Sequence, residues 1–299
     1  MARKRKTKGG ISSKFGLVLL LILVIFFGTN ETEKKNLFTG NENVSSDAVY
    51  VHFIDVEQAS ATLIQSGEKG ILIDAGEDNT GEALAEYINS CGVEKLEYVV
   101  ASHPHSDHIG GMADVFSKIP VGMVIMPELS DINTPTTRVY ENFLNAVLEY
   151  DIEVELSKTG ELYSIDGVTM TLFGPVKQVE DLNNMSVICK INANGTKIMV
   201  LGDAEKQELS SVYEAVHGEY KSDILVMGHH GSATSIYNSM LDDIDADVAI
   251  ISCGKDNKYG HPHKEALNYI YDNDMTLYRT DKDGTIVFKC TENSYERVD

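Results

Sequence analysis

The stretch Ser102-His103-Pro104-His105-Ser106-Asp107-His108-Ile109-Gly110-Gly111 places three histidines and one aspartate within six residues. Imidazole and carboxylate at this density is metal-ligand chemistry. His103 and His105 alternate in an extended segment, so both rings can point to one side. Asp107 and His108 follow where the chain turns into a helix, so they can face a second point nearby. One loop can thus supply parts of two metal shells. Gly110 and Gly111 leave room for close backbone approach.

The surrounding pattern shows what must position this loop. An extended apolar run at 96–101 leads into it, and an amphipathic run at 112–119 leads out. Upstream, 48–56, 59–65 and 70–74 read as strands, and 80–90 as a helix that stops at Gly92. Downstream come a strand at 121–126 and a helix at 136–150 with Val139, Phe143, Val147 and Leu148 on one face. A second half follows. Residues 152–156 and 168–173 read as strands, and 185–191 and 197–201 as a hairpin across Asn192-Ala193-Asn194-Gly195. A helix at 205–216 precedes a strand at 223–227 that ends in Gly228-His229-His230-Gly231-Ser232. A strand at 247–252, a helix at 264–271 and strands at 275–279 and 284–289 complete the chain. Sheet with helices, then sheet with helices, predicts an α/β fold of four layers: two sheets face to face with helices outside both.

The chain has 299 residues and a formal net charge of −21. Residues 1–28 hold Arg3, Lys4, Arg5, Lys6, Lys8 and Lys14 and no acid, which leaves −27 on the remainder. So acidic a domain repels polyanions at long range, which argues against tight non-specific nucleic-acid binding. A phosphate-bearing substrate held by metal ions stays open. The apolar core at 15–27 is shorter than the ~20 residues of an ordinary spanning helix, and no small-x-small cleavage site follows it. Residues 1–28 are therefore expected to be an N-terminal membrane anchor or signal segment, with the uncleaved anchor preferred and the rest of the chain outside. Secretion after cleavage is the alternative. Residues 29–48 read as a polar linker and 49–299 as the folded domain. Cys91, Cys189, Cys253 and Cys290 have no C-x-x-C spacing, which argues against a cysteine zinc site; three pairings would be open to them if oxidised. His52 and His217 read as structural.

The motifs then resemble a known family. His103-x-His105-x-Asp107-His108-x-Gly110-Gly111 is similar to the signature of the metallo-β-lactamase superfamily, whose fold is an αββα sandwich. Val51-His52-Phe53-Ile54-Asp55-Val56, Ile73-Asp74-Ala75-Gly76, Asn183-Asn184-x-Ser186, Leu201-Gly202-Asp203, His229-His230-Gly231-Ser232 and Tyr259-Gly260-His261-Pro262 occur in the order seen in the hydrolase domain of ComEC-type competence proteins and in stand-alone relatives. The first strand end departs from that pattern: Asp55-Val56-Glu57-Gln58-Ala59-Ser60 stands where ComEC-type domains read Asp-Val-Gly-Gln-Gly-Asp. The third histidine of the β-lactamases proper is absent, and Asn183-Asn184 stands near its place. Nothing after Phe27 has the character of the many-helix channel of full ComEC proteins.

The resemblance implies two divalent metal ions. His103 and His105 are expected on the first, Asp107 and His108 on the second, with Asp203 bridging them and His229 completing the second shell. His230 is expected outside the ligand set, with Asp107 and His261 among the groups that move protons or bind substrate. Asp74, Asn184 and Ser232 are expected to orient a ligand or hold the substrate. Imidazole and carboxylate suit zinc, with manganese or iron open. The activity implied is hydrolysis of a phosphodiester, whether small, attached to the cell wall or part of a nucleic acid. A β-lactam or lactone hydrolase on the same fold, or a non-catalytic accessory of DNA uptake, are the other readings.

Overall fold

The computed structural model describes residues 48–216 and 218–299. The anchor or signal expected at 1–28, the linker up to residue 47, and His217 lie outside the described residues. Six strands form in sequence order along the first half: β1 (Val49–Phe53), β2 (Thr62–Ser66), β3 (Lys69–Ile73), β4 (Lys95–Val100), β5 (Val121–Met126) and β6 (Glu153–Leu156). Seven follow in the second: β7 (Leu162–Ile165), β8 (Val168–Phe173), β9 (Ile188–Ala193), β10 (Thr196–Val200), β11 (Ile224–Val226), β12 (Val248–Ile251) and β13 (Thr276–Arg279). The chain then returns to the first sheet with β14 (Ile286–Thr291) and β15 (Ser294–Arg297). The first sheet runs β15-β14-β1-β2-β3-β4-β5-β6 and the second β13-β12-β11-β10-β9-β8-β7. β14 closes antiparallel on β1, with Val51 opposite Phe288.

Period-two patterning explains why two sheets stack. Val51, Ile64 and Ile71 of the first sheet share one buried cluster with Ile191, Ile198 and Ile250 of the second. Residues of opposite parity in the second sheet, such as Ile188, Met199 and Leu225, pack outward. They meet Leu209 of a helix at Lys206–Ala215, Leu241 of one at Asn238–Ile244 and Ile270 of one at Lys264–Asp272. Truncating a fully buried isoleucine such as Ile198 to alanine is expected to cost about 2–5 kcal/mol. The helices Gly81–Ser90, Met112–Lys118 and Arg138–Glu149 belong to the first half. The fold is the αββα sandwich expected from the sequence.

Among the elements that escape the sequence pattern are two strands and a helix. β7 and β15 are four residues long, and Leu162 in β7 is exposed, so their alternation is weak. The helix at Asn238–Ile244 spans only seven residues, too few to establish a period. The hairpin turn is also tighter than expected. Ala193 pairs with Thr196, so the loop is Asn194-Gly195, with φ of 48° and 94°, the double positive φ that suits a type I′ turn.

β3 and β4 run parallel, as do β10, β11 and β12. Their C-terminal ends carry Asp74, the His103–His108 loop, Asp203, His229-His230 and the loop after β12. Among the described residues, no helix is long and apolar enough to cross a membrane. All four cysteines are unpaired, and Cys189, Cys253 and Cys290 are buried.

Candidate metal centre and pocket

Backbone contacts hold the histidine loop in place. Ala75 N–H donates to the His108 carbonyl at 2.7 Å and Ser60 N–H to the Asp107 carbonyl at 3.1 Å. A Cβ at Gly110 would lie 2.3 Å from the Asp78 nitrogen, and one at Gly111 2.2 Å from the Ala75 oxygen, so only glycine fits either position. His105 is extended (φ −78°, ψ 154°) and precedes a one-turn helix at Ser106–Ile109. His103 and His105 thus come from extended chain and Asp107 and His108 from a helix, as the sequence indicated.

Three imidazoles are aimed by a fixed partner on Nδ1. Asp74 Oδ2 accepts from His108 Nδ1 at 2.7 Å. The Ser102 hydroxyl donates to Asp74 Oδ2 at 2.8 Å, so it can only accept from His103 Nδ1, 3.1 Å away. The Ser252 carbonyl accepts from His230 Nδ1 at 2.9 Å. With Nδ1 protonated, each neutral ring turns an unprotonated Nε2 into the site. His108 Nε2 is buried and has no hydrogen-bond partner among the described residues.

Those lone pairs meet carboxylates. His108 Nε2 lies 3.2 Å from Asp203 Oδ1 and 3.9 Å from Asp107 Oδ2. His230 Nε2 lies 3.1 Å from Asp107 Oδ2 and 3.7 Å from Asp203 Oδ2. Ligand atoms of Asp107, His108, Asp203 and His230 all fall within 4.8 Å of one another. Lone pairs of two imidazoles and two carboxylates repel unless a positive charge sits among them, so this donor set fits a divalent cation. A proton is the alternative charge. Burial opposes charge on His108, but Asp203, Asp74 and Asp107 outweigh it and raise its pKa well above the usual imidazole value. His230 is raised in the same way: burial opposes, while Asp203 and Asp107 prevail. Burial works against ionised Asp203 too, yet His108, His230 and His103 hold its pKa well below the usual range. His103 and His105 are instead lowered, burial first.

A second donor group adjoins the first. His103 Nε2 lies 3.0 Å from His105 Nδ1 and 3.9 Å from Asp203 Oδ2. Asp203 therefore faces both groups, and the Ser186 hydroxyl, accepting its backbone N–H at 3.1 Å, fixes where it stands.

The sequence reading put His229 among the donors and His230 outside them; the structure turns the His230 ring inward instead. His230 Nε2 points among the carboxylates, and its side chain is 3% exposed. His229 is 23% exposed; its Nδ1 faces Glu205 at 3.3 Å and its Nε2 reaches only to 3.8 Å from Asp203 Oδ2. Both have positive φ, 50° and 56°, so the chain twists through two left-handed residues and turns the second ring inward. Neighbouring histidines give no sequence signal for that choice. Asn184 also departs from expectation. Its Oδ1 accepts the Glu208 N–H at 3.0 Å, capping a helix, and its Nδ2 donates to Asp181 at 3.3 Å. Asn183 lines the pocket in its place. Ser232 accepts from Thr234 N–H at 3.3 Å, so its hydroxyl stabilises a turn and does not line the pocket.

The pocket has a cavity volume of ≈ 310 Å³ and is lined by Asp107, Asp203, His229, His230, Tyr259 and His261, together with Gln58, His105, Ser106 and Asn183. His261 is pushed down to about 4, by burial first and then by His230, His229 and His263. Ser102 and Gln58 were not anticipated as site residues. Gln58 sits in the Asp-Val-x-Gln run at the first strand end, where its motif position was the available signal.

Comparison with known proteins agrees with this fold. A family model described as the metallo-beta-lactamase superfamily matches residues 54–255. ComE operon protein 3 of Bacillus subtilis (strain 168) is 27% identical over 212 residues, covering 70% of this chain and 26% of that protein. Competence protein ComA of Neisseria gonorrhoeae is 28% identical over 252 residues, covering 83% of this chain and 33% of that protein. The chain thus spans a quarter to a third of the length of these curated relatives. Among solved structures, the metallo-beta-lactamase fold protein YhfI from Bacillus subtilis superposes with a TM-score of 0.52 at 15% identity, covering 82% of this chain and 100% of that one; the likeness is one of fold.

Proposed function

The chain belongs to the metallo-beta-lactamase superfamily, and from that premise we propose that it is a metal-dependent phosphodiesterase, anchored through residues 1–28 with its catalytic domain outside the membrane. The observation that carries this reading is the convergence of donors from Asp107, His108, Asp203 and His230 beside an open pocket. These four would hold one divalent cation. His103, His105 and the facing oxygen of Asp203 would hold a second, with His229 at its exposed side. Zinc suits the donors best, and manganese or iron share them. When bound, such cations supply Lewis acidity toward phosphoryl oxygens and lower the pKa of water.

The chain's own residues do the rest. Asp74, Ser102 and the Ser252 carbonyl hold three rings with Nε2 inward. Asn183, Tyr259 and His261 line the pocket where substrate would bind. The motif resemblance to the hydrolase domain of ComEC-type competence proteins supports a phosphodiester substrate. The charge of −27 beyond residue 28 gives no long-range attraction for a polyanion, so it favours small or cell-wall-attached phosphodiesters over long DNA. Asn183, near the place of a third histidine in β-lactamases, supports phosphodiester over lactam chemistry.

The test is a substrate panel on the full chain loaded with zinc or manganese. Cleavage of a phosphodiester that is lost on chelation, and mostly lost in Asp203→Ala, is the expected result. Opening of lactam or lactone rings without phosphodiester cleavage would establish the other hydrolase reading. DNA binding with no turnover of any substrate would make the protein an accessory. Protease treatment of intact cells checks the location, since a fully protected domain contradicts it.

A further inference from the structure

Gln58 follows β1 on the first sheet, and His261 lies in the loop after β12 on the second, yet their side chains meet. Gln58 Oε1 accepts the Gly254 N–H at 2.9 Å. That bond fixes which arm of the carboxamide is oxygen, so the arm 3.3 Å from His261 Nδ1 is the amide nitrogen, which can only donate. Nδ1 must therefore be a lone pair. In a neutral imidazole the proton is then on Nε2. His261 Nε2 makes no hydrogen bond to the described residues, and the ring lines the pocket.

The surroundings hold this arrangement. Turning the carboxamide over would set an amide N–H₂ against the Gly254 N–H. A Cβ at Gly254 would lie 2.7 Å from the Gln58 nitrogen, so the two loops are pressed together. Asn257 accepts the His261 N–H at 3.0 Å and donates to the His261 carbonyl at 2.7 Å. The ring is nearly parallel to Tyr259, at 21° and 5.7 Å, and to His230, at 25° and 6.0 Å.

We propose that Gln58 is a positioning residue that fixes His261 as the Nε2-protonated tautomer, so that His261 presents a hydrogen-bond donor, and not a base, to an oxygen of the bound substrate. Only the identity of that oxygen rests on the phosphodiester reading; the tautomer does not. The sequence suggested a proton donor at His261. A neutral imidazole N–H is too weak an acid for that task and acts through its hydrogen bond.

The test uses isotope-labelled full chain, metal-free and zinc-loaded, with the His261 resonances assigned by their loss in His261→Gln. Nitrogen NMR should report Nε2–H in the wild type. In Gln58→Glu a carboxylate can still accept from Gly254, but it faces Nδ1 with an acceptor, so the proton should move to Nδ1. Turnover of a phosphodiester should then fall about 10- to 100-fold, with metal content and melting temperature retained. His261→Gln, which also offers a neutral N–H, should keep more activity than His261→Ala. An Nδ1–H signal in the wild type, an unchanged tautomer in Gln58→Glu, or equal loss in His261→Gln and His261→Ala would overturn the proposal. An Nε2–H wild type that cleaves no phosphodiester would support the assignment of Gln58 and overturn the phosphodiester reading.

Discussion

Asp74 Oδ2 stands 2.7 Å from His108 Nδ1, and the same carboxylate takes the Ser102 N–H on its other oxygen at 2.8 Å. One buried acid thus sets the strand end, the ring orientation and the tautomer. In Asp74→Asn the Oδ1 bond can persist, but an amide N–H₂ then faces the Nδ1–H of His108. The ring loses its preferred tautomer and its aim. Affinity for the cation held by His108 is expected to fall about 10- to 100-fold. Competition against a chelator of known affinity measures it, and unchanged retention of the metal would refute the orienting role.

His230→Ala and His229→Ala should separate. Removing His230 deletes a donor from the four-residue group, so the ion beside Asp107 should be lost on dialysis. Removing His229, which is more exposed and 3.8 Å from Asp203, should leave that ion in place. Elemental analysis of the two dialysed variants decides between them; equal loss would return His229 to the role the sequence suggested.

Metal removal should make stability depend on pH. In the metal-free chain the raised pKa values of His108 and His230 favour the folded state, with the full contribution below the unfolded value of 6.5. It is lost as pH rises through the folded values. The depressed Asp203 acts in the opposite sense, contributing above its unfolded value of 3.8 and failing as pH falls through its lowered one. Metal-free protein should therefore weaken above pH 6.5 while metal-loaded protein does not. Free cation at a hundredfold excess over its Kd adds about 2.7 kcal/mol. Melting curves at pH 6 and 8.5, with and without zinc, would show a gap that widens at the higher pH.

Glu208 supplies a titration away from the cation donors. It is 2% exposed and accepts the Val176 N–H at 2.8 Å, and burial raises its pKa to about 7 from 4.5. A raised carboxyl contributes most when protonated, so its effect declines as pH climbs from 4.5 to about 7 and is flat beyond. Glu208→Gln cannot ionise. Its stability relative to wild type should rise across that window by about 3 kcal/mol. Urea denaturation of both proteins at the two ends of the window tests this; a constant difference would contradict it.

The fold was legible because its signals are local. Alternation in 49–53, 188–193 and 196–200, helical period in 138–149, and an Asn-Gly turn each fix an element from neighbouring residues. The extended-to-helix turn that carries His103, His105, Asp107 and His108 was legible for the same reason, since neighbouring residues set it. Choices that depend on long-range contact were not. Whether His229 or His230 turns inward depends on left-handed backbone and on the Ser252 carbonyl. Whether Asn183 or Asn184 faces the pocket depends on which one the helix at Lys206–Ala215 takes as its cap. In each pair the two residues are chemically identical and adjacent, so composition and spacing carry no distinction between them.

The candidate site draws its donors from both sheets: the histidine loop from the first, Asp203 and His230 from the second. Asp107 and His230 are separated by 123 positions along the chain. An unfolded chain therefore has half a site at most, and the sheets must stack before the four donors converge. An ion held there would work as a removable crosslink across the seam. Its release would undo that link, so the lifetime of the folded molecule would follow the retention of the metal.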